Sequence, residues 1–492
     1  MLREGIRFLA RDSAIYGISG AVSRLFAFFT LPVLTNALAQ SEYGILDATL
    51  AFSTILNVFL VFGQDSAIAR FFYEKNSDEI YRVKVTSAGF FVQMVMLLFI
   101  FTSFYLLTPW IGKVFYKTNP EYIRYWKLSL LAVPGQCLML YASNIFKWTF
   151  KRGRFLFITL GSALVNFLLI LYLVLYLQMG IEGAIWPGII SGSLFAVFGI
   201  FMNRRYIQFK HFFRENDVMK KMIAYGAPIA FAGVFNGLLP ALDRYFLLQN
   251  VPLSELGLYA VGIRIASMLG LFIMAFSIAF GPYAFSVWHR PEAKEHFSVL
   301  FRYLMFILIL LSLTIITFSD YLIRVLSNRS YLEAIVLIPF LLLNQALYGL
   351  FEFTSLGITY SKKTYFHLLL LIANFLILAI FLFFLIPWLG ILGASLSLFL
   401  AHLVKNLLAY QISRKYYHIR IKIRDGLLML IPFALLTALI FLRFYFNYSF
   451  LSVAIYLVFL ASLVYLFNIL TQKEKEAILN RLRSFLIYGK NA

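Results

Sequence analysis

The sequence predicts an all-α polytopic membrane protein of fourteen transmembrane helices, built as two pseudo-symmetric six-helix lobes plus two C-terminal helices. Three observations carry this reading: apolar runs of spanning length, an alternation of basic and non-basic loops between them, and an internal repeat of about half the chain. Hydrophobic residues make up 62 % of the 492 and charged residues only 13 %, which excludes a soluble globule, where the charged share is about twice as large. A spanning helix needs about 20 mostly apolar residues. Runs of that kind lie near 13–38, 43–63, 83–108, 125–147, 155–178 and 181–202, then near 222–248, 256–284, 298–319, 331–356, 364–386 and 389–411, and finally near 425–444 and 449–470.

The expected organisation is an N-lobe at 1–205 (spans 1–6), an amphipathic cytoplasmic connector at 206–220, a C-lobe at 221–415 (spans 7–12), spans 13 and 14 within 416–472, and a basic cytoplasmic tail at 473–492. Met1 to Asp12 is basic but lacks a short apolar region with a small-residue cleavage site, so no removable signal peptide is expected. Lys and Arg concentrate on the cytoplasmic side of membrane proteins, and with the N-terminus inside, about 32 basic residues fall in inner loops against about 7 outside. The inner set includes Arg82 and Lys84, Lys151 and Arg152, Arg204 and Arg205, Lys362 and Lys363, and Arg414 and Lys415, whereas the outer turns near residues 40, 180, 252 and 388 carry none. Both termini are therefore expected in the cytoplasm. The net charge of +21 is a loop charge, and no nucleic-acid partner is expected.

The repeat is legible in its turns. Ser41-Glu42-Tyr43-Gly44-Ile45-Leu46 returns as Ser254-Glu255-Leu256-Gly257-Leu258-Tyr259, an offset of about 213 residues. Lys151-Arg152-Gly153-Arg154, Asn166-Phe167 and Gly180-Ile181-Glu182-Gly183-Ala184 return as Ser361-Lys362-Lys363-Thr364, Asn374-Phe375 and Gly390-Ile391-Leu392-Gly393-Ala394. Six spans per copy is an even number, so both copies enter from the same side. They should be related by an axis along the membrane normal, with a substrate path between them.

An ionisable residue inside the bilayer costs about 2.5–3.5 kcal/mol on insertion scales, so each is a functional candidate. Arg24 lies twelve residues past Asp12, roughly 18 Å into the membrane, and Arg264 nine past Glu255, roughly 14 Å deep. Both are too deep to reach water easily from a lipid-facing position and are candidate cavity cations, with a structural ion pair as the alternative. Lys405, with His402 beside it, is a third candidate cation. Asp47, Asp243 and Arg244 lie near the outer ends of their spans and read as an outer-gate ion pair. Asp65 and Arg70, in the segment after span 2, read as a pair at the cytoplasmic face or as a contact for entering substrate. Glu352, Asp47 and Asp243 are candidates for ion coupling. Pro228 and Pro240 interrupt span 7; each removes a backbone hydrogen bond, which makes that span the candidate hinge, and Pro32, Pro187 and Pro339 interrupt others. The single cysteine, Cys137, excludes an intrachain disulfide, and there is no phosphate-binding loop, no His-Glu-x-x-His and no His or Cys cluster with ligand spacing. No cofactor, no metal and no enzymatic activity are expected.

Ser23-Arg24-Leu25, Leu31-Pro32-Val33-Leu34-Thr35, Glu42-Tyr43-Gly44-Ile45-Leu46-Asp47 and Asp65 to Glu74 together resemble the polysaccharide transporter family, the O-antigen-type (Wzx-like) flippases for lipid-linked oligosaccharides. Asp243-Arg244-Tyr245-Phe246, Gly257-Leu258-Tyr259 and the Gly390 segment fit the same pattern, and the likeness covers about the first 410 residues. The resemblance implies the fold of the multidrug/oligosaccharidyl-lipid/polysaccharide exporter superfamily, two six-helix lobes in a V that open alternately. It further implies substrate handling by cavity cations, a polyprenyl-linked oligosaccharide as substrate and membrane lipid as surroundings. A glycan polymerase and chain-length regulator are the partners it suggests, and a monomer in the bacterial or archaeal cytoplasmic (inner) membrane its form, serving surface polysaccharide such as lipopolysaccharide. A peptidoglycan-precursor flippase and a multidrug cation antiporter are the rival transporters. The antiporter would need buried carboxylates, and span 1 has none. A membrane glycosyltransferase or polymerase would need large outer loops, and the outer turns are tight.

Overall fold

The computed structural model describes residues 2–74, 78–116, 119–211, 216–363, 365–419, 423–446 and 450–469; the tail expected at 473–492 lies outside the described residues, as do 212–215 of the connector and the loop cations Lys75, Arg420 and Lys422. The described residues are helical, with no strand among them. In chain order the helices are α1 (Leu2–Ala37), α2 (Gln40–Val61), α3 (Gln64–Phe72), α4 (Glu79–Met96), α5 (Thr102–Tyr116), α6 (Pro120–Leu130), α7 (Ala132–Trp148), α8 (Arg152–Ile170), α9 (Gly180–Met202) and α10 (Asn216–Asn250). They continue as α11 (Leu253–Val287), α12 (Ala293–Thr317), α13 (Ser319–Leu326), α14 (Ile338–Thr354), α15 (Leu356–Tyr360), α16 (Tyr365–Ser413), α17 (Ile423–Phe446) and α18 (Phe450–Ile469). Wider π turns at Leu97–Phe101 and Leu171–Tyr176 extend α4 and α8.

The all-α membrane architecture expected from the sequence is present; the number of spans is a separate matter. Among the described residues nine helices are long and apolar enough to cross a bilayer, or ten if the pair Arg329–Val336 and Ile338–Tyr360, bent by 59°, is one span. The difference from fourteen has three sources. Residues 365–413, where two spans are expected, are two helices that meet directly at Gly390, whose backbone is non-helical (φ 53°, ψ −131°), and they enter this count as the single element α16. In α17 and α18 the apolar stretches are shorter, Leu430–Phe444 and Val453–Leu466, and α1 is described only in part at the level of side chains. The proposed hinge prolines, Pro228 and Pro240, both lie inside α10, which runs as one helix from Asn216 to Asn250.

Local chemistry sets the helix ends. Asp78 caps α4 by accepting from the Tyr81 amide at 3.0 Å, and Asn119 caps α6 at the Glu121 amide, 3.1 Å, with Pro120 in the first turn, where its missing N–H is harmless. The repeated Gly-Ile-x-Gly-Ala motif does the same work twice. Gly180 and Gly390 take φ values of 57° and 53°, a left-handed conformation open to glycine at little cost. The second glycine of each copy lets the preceding helix end come close: a Cβ on Gly183 would stand 3.1 Å from the Leu173 carbonyl oxygen, and one on Gly393 would collide with that of Leu385.

The chain divides into two compact units, residues 1–264 with 324–331 and 364–401, and residues 265–323 with 332–363 and 402–492. Lipid is as apolar as the helices, so specificity between spans rests on close packing and buried hydrogen bonds. In the first unit Ser53 and Ser129 hydroxyls meet at 2.6 Å between α2 and α6, and Gln93 of α4 donates to the Leu60 carbonyl of α2 at 2.7 Å. Trp126 is fully buried, with the rings of Phe52, Phe104, Phe115 and Tyr116 at 5.5–6.4 Å. Ile68, Val85, Tyr141, Ile145 and Met222 form a second core joining α3, α4, α7 and α10, so this unit runs past the connector that separates the repeats in sequence. In the second unit Thr354 donates to Asn406 at 2.9 Å, the Gly357 amide to the Ser413 hydroxyl at 2.7 Å, and Arg443 pairs with Asp320 at 3.2 Å.

Gly393→Ala is expected to destabilise the purified protein by about 1–3 kcal/mol, since the helix end must move away from the new methyl group. Gly153→Ala, where a Cβ would meet nothing within 4 Å, should stay within about 0.5 kcal/mol of the parent. Thermal unfolding in detergent, comparing the two, checks this.

Candidate functional site

The site begins at the two repeated turns. Gly44 of α2 and Gly257 of α11 bring their backbones into contact: a Cβ on Gly44 would lie 2.7 Å from the Gly257 nitrogen and from the Leu253 carbonyl oxygen, and one on Gly257 would collide with the Gln40 carbonyl. Beside it, Glu42 holds the start of α2 by accepting from the Ala39 amide at 2.8 Å. The approach places the next turns of α2 and α11 against the end of α10.

There Arg244 is held between two carboxylates. Its Nε donates to Asp47 Oδ2 at 3.0 Å, and its Nη1 to both oxygens of Asp243, at 2.9 and 3.1 Å. Tyr259 of α11 donates to Asp243 Oδ2 at 2.6 Å, and its ring centre lies 5.3 Å from the guanidinium carbon. Arg244 and Asp243 are 8 % and 2 % exposed in their side chains and Asp47 14 %, so these are buried, charge-assisted bonds of the stronger kind. Arg264, five residues beyond Tyr259 on α11, is half-buried, and Tyr43, next to Gly44, is buried with its ring edge-on to that of Tyr331 at 6.2 Å.

The other sequence candidates are placed differently. Arg24 is exposed on α1. It flanks the face carrying Ser23, Phe26, Ala27 and Thr30, which borders a cavity of about 320 Å³ among α1, α7, α8 and α9. Lys405, in the second unit, is 7 % exposed; its ammonium lies 4.5 Å from the Phe351 ring centre and 5.9 Å from that of Tyr348, and it forms no ion pair among the described residues. Glu352, next to Phe351, is half-buried and makes no bond to Lys405. Asp65 and Arg70 are both exposed and are not paired with each other. Five residues along α3 turn the side chains roughly 140° apart, so Asp65 accepts from the Ser66 amide at 2.8 Å and Arg70 stacks over Tyr225 at 4.5 Å. No metal-binding cluster of His, Cys, Asp and Glu occurs among the described residues. Sequence reasoning did not single out Tyr259 as a bonding partner; it lies two residues past its repeat glycine, and that was the available signal.

The described residues define a membrane protein of long apolar helices with a buried carboxylate–arginine cluster. A family model described as "Polysaccharide biosynthesis protein" matches residues 9–288, and the chain belongs to that family. Two curated relatives come from Haemophilus influenzae: an "Uncharacterized membrane protein", 26 % identical over 58 % of this chain and 67 % of the relative, and "Lsg locus putative protein 1", 24 % identical over 60 % and 71 %. Among solved structures, the chain is similar in fold to the lipid II flippase MurJ (TM-score 0.67, 16 % identity, 93 % of this chain and 98 % of that one). It is also similar to an inward-facing multidrug resistance MATE family transporter of the MOP superfamily (TM-score 0.62, 14 % identity, 80 % and 94 %). The chain is a multi-pass membrane protein with the fold of these neighbours.

Arg244→Ala should destabilise the protein by about 3–5 kcal/mol, because it leaves Asp243 buried without its cation. Arg244→Ala combined with Asp243→Asn should recover part of that loss. Thermal unfolding of single and double variants reads both, and an additive double variant would show that the pair is not coupled.

Proposed function

We propose that the protein is a flippase that moves a polyprenyl (pyro)phosphate-linked oligosaccharide from the inner to the outer leaflet for surface polysaccharide assembly, by alternating access around cationic residues. The observation that carries this reading is the presence, in a chain of the polysaccharide biosynthesis family, of arginines deep in α1 and α11. Arg24 is exposed and Arg264 is half-buried. A lipid-linked glycan carries anionic phosphates that hydrocarbon excludes, and a guanidinium binds phosphate through two parallel charge-assisted hydrogen bonds. Arg24 and Arg264 receive the phosphate, with Lys405 as a further cation, while the polyprenyl tail stays in lipid. Asp47, Asp243 and Arg244 serve as the outer gate. Their engagement with one another weighs against the cation antiporter, which needs carboxylates open to exchange. Outward movement of an anion gains about 2.3 kcal/mol per charge per 100 mV from the membrane potential, and coupling to protons or sodium through Glu352, Asp47 or Asp243 is the alternative drive. The protein acts as a monomer in the bacterial or archaeal cytoplasmic (inner) membrane, with a glycan polymerase and chain-length regulator as partners.

In proteoliposomes, Arg24→Ala and Arg264→Ala are each expected to lower transfer of lipid-linked oligosaccharide about tenfold or more, the value of a hydrogen bond to a charged group, with unchanged membrane abundance. Wild-type transfer in the double variant would overturn the assignment. Transfer of lipid II instead would make the peptidoglycan precursor the substrate. A reporter fused to the C-terminus should be active only in its cytoplasmic form; periplasmic activity would reverse the topology.

A further inference from the structure

Beside Arg24 the structure contains a cavity that the phosphate chemistry does not use. Ser23, Phe26, Ala27 and Thr30 are spaced i, i+3, i+4 and i+7, a single face of α1, and with residues of α7, α8 and α9 they line an open cleft of about 320 Å³. That is the small end of the roughly 300–1,000 Å³ range of ligand pockets, the scale of a monosaccharide rather than a whole glycan. None of the lining residues is ionisable, and six are hydrogen-bonding: Ser23, Thr30, Gln136, Ser162, Asn166 and Ser191.

The hydrogen bonds already made decide what the cavity can offer. The Thr30 hydroxyl donates to the Ala27 carbonyl at 2.7 Å, Ser162 to Thr159 at 3.0 Å and Ser191 to Pro187 at 2.7 Å. Each proton is thus committed to the helix backbone, and the oxygens remain as acceptors. Asn166 donates to Ser191 at 3.3 Å, which leaves its carbonyl and second N–H. Gln136 is exposed, borders the cavity, and makes no hydrogen bond among the described residues, so both ends of its amide are available. The rings of Phe26 and Phe167, 5.8 Å apart, add apolar faces. Acceptors for O–H groups, an amide free to donate, aromatic faces for C–H groups and no charge form the complement of a neutral sugar ring. An organic or metal cation would call for a carboxylate, and a phosphate for a cation; neither lines the cavity.

We propose that this cavity is a subsite for one uncharged sugar residue of the lipid-linked glycan, adjacent to Arg24, which holds the phosphate. The proposal rests on the flippase reading and adds to it: the first bundle reads the sugar next to the pyrophosphate through neutral amides and hydroxyls. Arg24 lies on α1 roughly 100° round from Ser23, so a phosphate on the arginine and a ring in the cavity belong to one ligand spanning a single helix face and its flank.

The test uses the full chain in nanodiscs and three probes: a polyprenyl pyrophosphate bearing a single hexose, the same lipid without sugar, and the free hexose. Wild type should bind the sugar-bearing lipid roughly tenfold more tightly than the bare lipid, the gain of one or two hydrogen bonds. Gln136→Leu, and separately Asn166→Leu, should bring the sugar-bearing lipid to the bare-lipid value. Neither should move the bare-lipid affinity, which also reports that each variant is folded. Because the Gln136 amide holds nothing in the fold, that variant stands even if Asn166→Leu fails to fold. Unchanged sugar-bearing affinity, or an equal fall for both lipids, would overturn the subsite. Binding of free hexose at full strength, without help from the lipid, would overturn the lipid-linked source. Binding of neither lipid by wild type would instead bring down the flippase reading itself.

Discussion

The structure depends on the neutralisation of Arg244. A guanidinium taken out of water carries a desolvation penalty of several kcal/mol, which is offset only where geometry and hydrogen bonding are both good. Here the offset comes from three helices: Asp243 on its own helix, Asp47 from α2, and Tyr259 from α11, which fixes the Asp243 carboxylate in turn. None of these partners can shift by a turn without stranding a charge. The glycine contact between Gly44 and Gly257 is the steric condition for that electrostatic one, because helices bearing side chains at those positions would stand too far apart.

The repeat explains where these parts come from and how the copies have diverged. The same short motifs supply a left-handed turn at Gly180 and Gly390 and a close backbone approach one turn later. Asn166 and Asn374 occupy corresponding places in the two copies, yet Asn166 borders a cavity, whereas Asn374 is fully buried with neither amide atom hydrogen-bonded among the described residues. The copies therefore keep a common backbone plan and differ in the chemistry mounted on it.

Much of this was legible in the sequence, and the parts that were not have a common cause. Apolar run length and loop charge are one-dimensional signals, and they reveal the all-α membrane class directly. Glycines at turns are also local signals, because they mark a backbone conformation. A span boundary can be just as local: the two spans expected on either side of Gly390 meet at that one residue, where the backbone leaves helical geometry. Charged residues in apolar runs were visible as candidates, but pairing is a property of three dimensions. Asp47 and Arg244 are 197 positions apart and meet, whereas Asp65 and Arg70 are five apart and do not, because a helix turns them to different faces. The cavity beside Arg24 escaped notice because serine, threonine and glutamine inside apolar spans carry no charge to draw attention, and only packing shows which of them share a space.

The placement of the Arg244 partners also has a consequence for biogenesis. Asp243 and Arg244 are neighbours, so α10 leaves the ribosome with its cation already beside a counter-charge, and it presents to the membrane a dipole rather than a net charge. Asp47 has no such companion in α2. At synthesis rates of about 5–20 residues per second, the 197 residues that separate it from Arg244 take roughly 10–40 s to follow. During that interval Asp47, two turns from the start of α2, has no arginine partner. The arrival of α10 then supplies the missing cation, so a helix made much later determines when α2 has its buried charge paired.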